Sequence, residues 1–477
     1  MRLSLPLRMS AKSYQDAVTA LNTLQSNYAN IMAIRESGDR KNQMNIWEMQ
    51  EWSRRIGYKV RDFNRLNVIH ITGTKGKGST AAFTSSILGK YRDRIPKVGL
   101  YTSPHLRSVR ERIRINDDPI SEDKFTKYFF EVWDKLDETS SPLDKFPHMT
   151  PGSKPGYFKY LTLLSFHIFM QEGCSCCVYE VGVGGEFDST NIIEKPTVCG
   201  ITRLGIDHTF MLGDTIEEIA WNKGGILKMG SPAYTIPNQP VAGYKVLQER
   251  AAERKTTLKT TPIFDELKTI QLGIAGDFQI VNASLAVSLA SQSLTSMGLL
   301  EKPVALERDA NIPNQFTLKR GDSTWYIDGA HTKDSIEAAS AWFKQVASKS
   351  KNKKVLLFNQ QSRDAEALIN NLHQVLDPEV KFDTVVFTTN VTWNSGSYSA
   401  DLVSMNTSKD QVEKLVVQKA LAAHWNKLNH QVGNVHVTPD IETSYELLKE
   451  FKGPVDIFVV GSLHLVGGLL VVLDNRT

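Results

Sequence analysis

Residues 68–80 read Val68-Ile69-His70-Ile71-Thr72-Gly73-Thr74-Lys75-Gly76-Lys77-Gly78-Ser79-Thr80. The first five form a β-branched run that predicts a buried parallel strand, and residues 81–90 have helix-forming composition. Strand, glycine loop and helix in this order are what a phosphate-binding loop requires. Glycines let consecutive backbone N–H groups point into one concavity, the helix start adds a partial positive charge, and a lysine adds a full one. Lys77 is the lysine expected to meet phosphate. The spacing departs from G-x-x-x-x-G-K-[ST], because Gly78 stands between Lys77 and Ser79. The same glycines would also serve a plain tight turn, so the choice depends on what surrounds them.

The neighbouring strands decide it. Residues 97–102 predict a strand that ends at Ser103, a hydroxyl placed where open α/β sheets hold their ligands. Arg110, Arg112 and Arg114 follow, and on an extended segment they would share one face. Residues 176–182 predict a core strand carrying Glu180 at its end, the position needed to hold Mg²⁺ or orient a water on it. Residues 198–202 predict another strand, delivering Asp207 and His208 to the same edge, and residues 215–228 predict a helix carrying Lys223. Taken singly, a loop histidine is more often a packing residue and a buried glutamate merely a costly charge. Ser103, Glu180 and His208 beside one glycine loop make a stronger case. Further helices are expected at 13–34, 45–56, 121–136, 157–171 and 280–297, with a polar loop at 35–43.

Around residues 300–320 the periodicity fades and Pro303 and Pro313 collect, as in a connection between domains. From 323 onward strand and helix alternate again, predicting a smaller doubly wound domain. The expected division is a phosphate-loop, nucleotide-binding domain over 1–305, a linker over 306–322 and a Rossmann-like domain over 323–477. The fold class is therefore α/β, with a mostly parallel central sheet in each part. Asp328, at a strand end before Gly329-Ala330-His331, is placed to accept from a ribose or base, or simply to cap the next helix.

The chain of 477 residues is 41% hydrophobic and 23% charged, ordinary for a protein with a large core. Its net charge of +4, from 56 basic and 52 acidic residues, gives no field that would attract nucleic acid. No run reaches the 18 apolar residues of a membrane span; 463–473 is apolar but too short. Residues 1–9 carry Arg2 and Arg8 among leucines and no acid, as the start of a mitochondrial transit peptide does, but the stretch is short, so the cytoplasm is the expected location, with mitochondria as a second. Cys174, Cys176 and Cys177 lack companion ligands for zinc and read, with Cys199, as small apolar residues in a reducing compartment.

At this point the chain resembles the Mur ligase superfamily, and within it the folate-specific folylpolyglutamate synthase branch. The resemblance rests on GTKGKGST (73–80), YTSPHL with RERIRI (101–106, 110–115), EVGVGGEFDSTN (180–191), GIDHTFMLGDTIEEIAWNKGGILK (205–228), YIDGAHT (326–332) and GSLHLVGG (461–468), in family order. It implies that Thr74, Lys75, Gly76, Lys77, Gly78 and Ser79 hold the ATP phosphates, and that Asp328 and His331 touch the nucleotide from the second domain. It further implies that Ser103, Glu180, His208 and a carbamylated Lys223 hold Mg²⁺, with a monovalent cation such as K⁺ as a further candidate. Lys77, His208 and Lys223 would be catalytic.

The implied partners are reduced folate (poly)glutamates and L-glutamate, with a monomer expected. The implied reaction is ATP-dependent amide formation through an acyl phosphate, which needs no covalent enzyme nucleophile. Two readings compete: a dihydrofolate synthase joining dihydropteroate to L-glutamate, and a non-catalytic nucleotide-binding switch. Two stretches depart from the relatives' pattern. Where they carry W-P-G-R with an ATP-contacting arginine, this chain has Ile312-Pro313-Asn314-Gln315, leaving Arg308 or Arg320 as the substitute. Where they carry T-G-D-R-D, it has Gln360-Gln361-Ser362-Arg363-Asp364.

Overall fold

Strand β1 (Val68–Thr72) is buried at every position, as a run without polar alternation must be when both faces are covered. Around it the computed structural model arranges β2 (Val98–Tyr101), β3 (Ile113–Ile115), β4 (Asp118–Pro119), β5 (Cys176–Glu180), β6 (Val198–Ile201), β7 (Ala233–Thr235) and β8 (Leu258–Thr260). The order is β4-β3-β2-β5-β1-β6-β7-β8. Among the described residues only the β2–β3 and β3–β4 strand pairings of this sheet are antiparallel. The structure describes residues 12–25, 44–269, 272–273, 276, 278–300, 315–361, 364–395, 401, 412, 414–428 and 434–475.

Register fixes what reaches the carboxyl edge. Ile71 lies beside Glu180, Thr72 beside Ile201 and Tyr101 beside Tyr179. The strands therefore end level, and Gly73, Ser103, Glu180 and the segment after β6 emerge together. One face of the sheet packs Ile69, Ile71 and Val178 against the helices Lys77–Leu88 and Gln279–Ser296 through Ala81, Leu88, Leu285 and Leu289. The other packs Val68, Tyr101 and Tyr179 against the helices Glu122–Glu138 and Tyr157–Gln171. There the Phe166 and Tyr179 rings stack at 4.6 Å, and Phe166→Ala would cost about 3–5 kcal/mol.

The second sheet contains β9 (Gln315–Arg320), β10 (Ser323–Asp328), β11 (Lys353–Phe358), β12 (Thr384–Phe387), β13 (Asn434–Val437) and β14 (Val455–Val460), in the order β13-β12-β11-β14-β10-β9. All its pairings are parallel except β9–β10. Apolar clusters cover both faces, one built on Phe343, Phe358 and Phe458, the other on Ile327, Leu357 and Leu469. The apolar C-terminal stretch is the helix Leu463–Asn475, packed into the second of these. Among the described residues no helix is long and apolar enough to cross a membrane.

Several expectations differ in detail. Residues 315–320, inside the stretch read as linker, pair with β10 along their whole length; a strand at the sheet edge needs only one good partner and shows little periodicity. The first helix is Tyr14–Asn22, stopped well short of residue 34, and residues 26–43, with the polar loop expected there, lie outside the described residues. So do Arg308, most of the 306–322 segment, and Ser362 and Arg363. The helix expected at 215–228 is Ile216–Gly224, closed at its start by a Thr215–Glu218 capping box. The four cysteines are buried free thiols, as expected.

At the end of the helix Tyr157–Gln171, Glu172 ties three elements together, accepting from Lys97 (3.0 Å), Lys124 (2.9 Å) and Tyr128 (2.8 Å). Burial pushes this carboxyl up, and the donors Lys124, Lys97 and Tyr128 more than offset it, bringing it from 4.5 down to about 2. A depressed carboxylate stabilises the fold above its unfolded value and loses that contribution as pH falls through the folded one. Glu172→Gln is expected to lower the melting temperature by roughly 2–8 °C at neutral pH, with the gap from the parent closing as pH approaches about 2. Melting curves across pH check this.

Candidate active site

Gly73 leaves β1 at φ 152°, and a Cβ there would lie 1.7 Å from the Thr202 hydroxyl. Gly76 adopts φ 86° and caps the helix Lys77–Leu88; a Cβ would meet the Asn282 amide oxygen at 2.3 Å. Only glycine fits either place, so these residues shape the loop. The loop also ties itself down. The N–H groups of Thr74 and Lys75 both donate to the Arg203 carbonyl (2.8 and 3.2 Å), and the Thr74 hydroxyl donates to the Gly205 carbonyl at 2.9 Å. Thr74 and Lys75 thus spend their backbone donors on architecture. Lys77 and Gly78, in the first helical turn, line the cleft, and their N–H groups have no intrahelical acceptor.

That cleft has a volume of about 910 Å³ and lies between the two sheets. From the first sheet come Lys75, Lys77, Ser103, Glu180 and His208; from the second come Asp328 and His331. Ser79, buried in the first helical turn, sits behind the loop, 3.4 Å from the Gln279 amide. Contacts between the halves include Lys75 Nζ to Thr332 Oγ1 at 2.7 Å, Tyr14 to the Asp401 carboxylate at 2.6 Å and Arg107 to Asp474 at 2.7 Å. The Asp328 carboxylate accepts from the Ala330 N–H at 2.7 Å, fixing the turn that places His331.

Glu180 is 4% exposed and accepts from the Ser103 N–H at 3.0 Å. Burial pushes its carboxyl above the usual range, while Lys77, the Ser103 N–H and Arg112 pull the other way. Gly78 lies over it: a Cβ there would be 3.6 Å from both oxygens. His208 lies at φ 51°, outside the region side chains favour, and begins the short helical turn Thr209–Leu212. A divalent ion fits this donor set. Among the described residues no group of three or more histidine, cysteine or carboxylate side chains could enclose a metal. One carboxylate, a serine and an imidazole around a phosphate loop suit Mg²⁺, which binds through one or two carboxylates plus phosphate oxygens and water.

Lys223 is 3% exposed and donates to the Gly73 carbonyl at 2.8 Å, directly behind the loop. Burial drives its pKa well below 10.5, and the positive charge of Lys77 adds to the effect. The shift favours the neutral amine, the form that can take up carbon dioxide.

Two residues not singled out from the sequence join the expected ones, His105 behind the cleft and Asp188 on its wall. Arg112 and Arg114 line the cleft, but Arg110 turns away, donating to the Ile120 carbonyl at 2.9 Å and pairing with Glu122. The shared face expected for the three fails because 109–112 is a 3₁₀ turn, not a strand. Arg112 is held by His105, whose Nδ1 accepts from Arg112 Nε at 2.8 Å while Nε2–H donates to the Asp401 carbonyl at 2.7 Å. Burial, with Arg112 alongside, lowers the His105 pKa to about 3, so the ring is neutral. Asp188, on the turn after β5, also lines the cleft; an acid in EFDSTN was its only sequence signal. Arg320, offered as a nucleotide contact, sits at the hairpin end of β10, whereas Asp328 is at the other end, about 16 Å along the strand.

Residues 311–472 match a family model described as dihydrofolate synthetase, C-terminal domain. The folylpolyglutamate synthase of Saccharomyces cerevisiae strain S288c is 66% identical over 485 residues, covering 98% of this chain and 88% of the relative. This chain belongs to the folylpolyglutamate synthase family. Solved structures agree on the fold. E. coli FolC in complex with DHPP and ADP superposes with a TM-score of 0.66 at 21% identity, covering 98% of this chain and 99% of that one. Folylpolyglutamate synthase from Thermotoga maritima gives 0.62 at 23% identity, covering 89% and 94%. The two-sheet α/β architecture is thus that of folylpolyglutamate synthases.

Proposed function

We infer that the chain is an ATP-dependent ligase that adds L-glutamate to the γ-carboxylate of tetrahydrofolyl-(poly)glutamate, retaining folates for one-carbon metabolism. The observation that carries this reading is the convergence of the phosphate loop, Glu180, Ser103 and His208 with Asp328 and His331 on one cleft. The identity to folylpolyglutamate synthases over nearly the whole chain supports the substrate class.

The folate carboxylate oxygen attacks the γ-phosphorus of ATP as the bond to ADP breaks, giving an acyl phosphate. Lys77 and the helix start beside it take up negative charge as it shifts to the leaving oxygen. Glu180, Ser103 and His208 would hold Mg²⁺, and Lys223 would join them once carbamylated; the ion supplies neutralisation of the phosphate oxygens. Arg112 and Arg114 offer guanidinium forks to the carboxylates of the acceptor and of L-glutamate. The glutamate amine then attacks the acyl carbon and phosphate leaves, carrying the energy of ATP into the amide bond. Asp328 and His331 come from the other half, so the closed arrangement excludes water from the acyl phosphate.

Incubation with ATP, Mg²⁺, L-glutamate and tetrahydrofolate should yield a product heavier by one glutamyl unit, with ADP released. Product from dihydropteroate instead would favour dihydrofolate synthase, the activity named in the matched family model. No ATP consumption with either acid would leave only a nucleotide-binding switch. Lys223→Ala is expected to lower kcat by roughly 10²-fold or more, and added short carboxylic acids should restore part of it. Absence of rescue, with full activity in bicarbonate-free buffer for the parent, would argue against carbamylation.

A further inference from the structure

His70 is the one imidazole inside β1, the strand that delivers the phosphate loop, and it is 0% exposed. Its Nε2 lies 2.8 Å from the Thr190 hydroxyl. That hydroxyl is 2.6 Å from Asp188 Oδ1, which also accepts from the Thr190 N–H at 2.9 Å, while Oδ2 accepts from the Val183 N–H at 3.1 Å. A carboxylate can only accept, so the threonine proton goes to Asp188 and the Thr190 oxygen is left to accept from His70. The imidazole is therefore the Nε2–H tautomer, and its bare Nδ1 is buried without a partner. Burial, with a minor contribution from Lys228, lowers its pKa to about 3, so it stays neutral.

This is a costly occupant for a sheet interior. A leucine of similar size would pack there with no buried lone pair to satisfy. The chain of donors, however, runs one way, from the core of β1 through Thr190 to a carboxylate that is 7% exposed and lines the cleft. Asp188 lines the cleft together with Gly182, Val183, Phe187 and Phe158, near enough to Glu180 and Lys223 for its charge to act on both.

We propose that His70 is a positioning residue for the ligase reaction: through Thr190 it fixes the Asp188 carboxylate against the cleft as an acceptor for an N–H group of the bound folate or amino acid. Thr190 supplies the hydroxyl that transmits the constraint, and the Gly182–Val183 turn closes the other side of the carboxylate. The inference rests on the ligase reading of the cleft.

The test compares steady-state kinetics and melting for the parent, His70→Leu, His70→Gln, Thr190→Val and the His70→Leu/Thr190→Val pair. His70→Leu should raise KM for folate or for L-glutamate, with kcat/KM for that substrate falling about 10- to 100-fold and KM for ATP unchanged. Its melting temperature should equal or exceed the parent's. His70→Gln, whose amide can reach the Thr190 oxygen, should recover most of the loss, and the pair should be no worse than Thr190→Val alone. Unchanged KM values in His70→Leu and in Thr190→Val, or a fall in melting temperature with normal kinetics, would reduce His70 to a packing residue and overturn the proposal. Absence of turnover in the parent would instead sink the ligase reading.

Discussion

Lys77→Ala is expected to reduce kcat by at least about 10²- to 10³-fold while leaving the protein folded. Lys77 is the first residue of the helix that follows Gly76, and its side chain enters the cleft without joining an apolar cluster. Its charge acts on Glu180 and on Lys223, so the ammonium lies where the loop, the carboxylate and the buried amine meet. As charge moves from the γ-phosphoryl group to ADP, no other helix-start donor carries a full unit of it. The fold should barely notice the change: half-buried rim substitutions of this kind usually alter stability by about 0.5 kcal/mol. Product mass and ADP release measure the first effect and thermal melting the second. A rate near the parent's would remove Lys77 from the phosphate site.

Glu180→Gln separates function from stability in the same way. The carboxylate is 4% exposed and burial opposes its charge. Glutamine keeps the length and an oxygen for the Ser103 N–H, which lies 3.0 Å away in the parent. Removing a desolvated charge should leave the melting temperature unchanged or raise it. The same removal takes away the only carboxylate among the Mg²⁺ candidates Ser103, Glu180 and His208, so kcat should fall about 10²- to 10³-fold and the Mg²⁺ requirement should rise. Loss of stability in step with activity would mean that Glu180 serves the core instead.

What could be read from the sequence was what is local. β1, the glycine loop and its helix are contiguous, and their chemistry follows from composition and order. Glu180 was legible because a carboxylate at the end of an apolar strand has few other uses. Arg110 was misjudged because a serine-capped 3₁₀ turn replaces the strand that would have aligned it with Arg112. β7 and β8 have three residues each, too few to show a period, and β9 is held by a single neighbour. The roles of His105 and Arg112 depend on Asp401, almost three hundred positions away, and no pattern of spacing encodes such a contact. The Thr74 and Lys75 N–H groups looked like phosphate ligands until the Arg203 carbonyl, brought in by β6, was seen to occupy them. His70 looked like one more core residue in a β-branched run; only the fold puts Thr190 and Asp188 at its side.

On the proposed function, one cleft between the two halves holds the triphosphate, its divalent ion and the acceptor acid together. A crystal structure with a non-hydrolysable ATP analogue, Mg²⁺ and a folate tests it most directly. The expected result is phosphate oxygens within hydrogen-bonding distance of Lys77 and the Gly78 N–H, the ion about 2.1 Å from its oxygen ligands with Glu180 and Ser103 around it, and the folate carboxylate facing the γ-phosphate. Nucleotide bound away from the Gly73–Ser79 loop, or an ion that leaves Glu180 untouched, would contradict it.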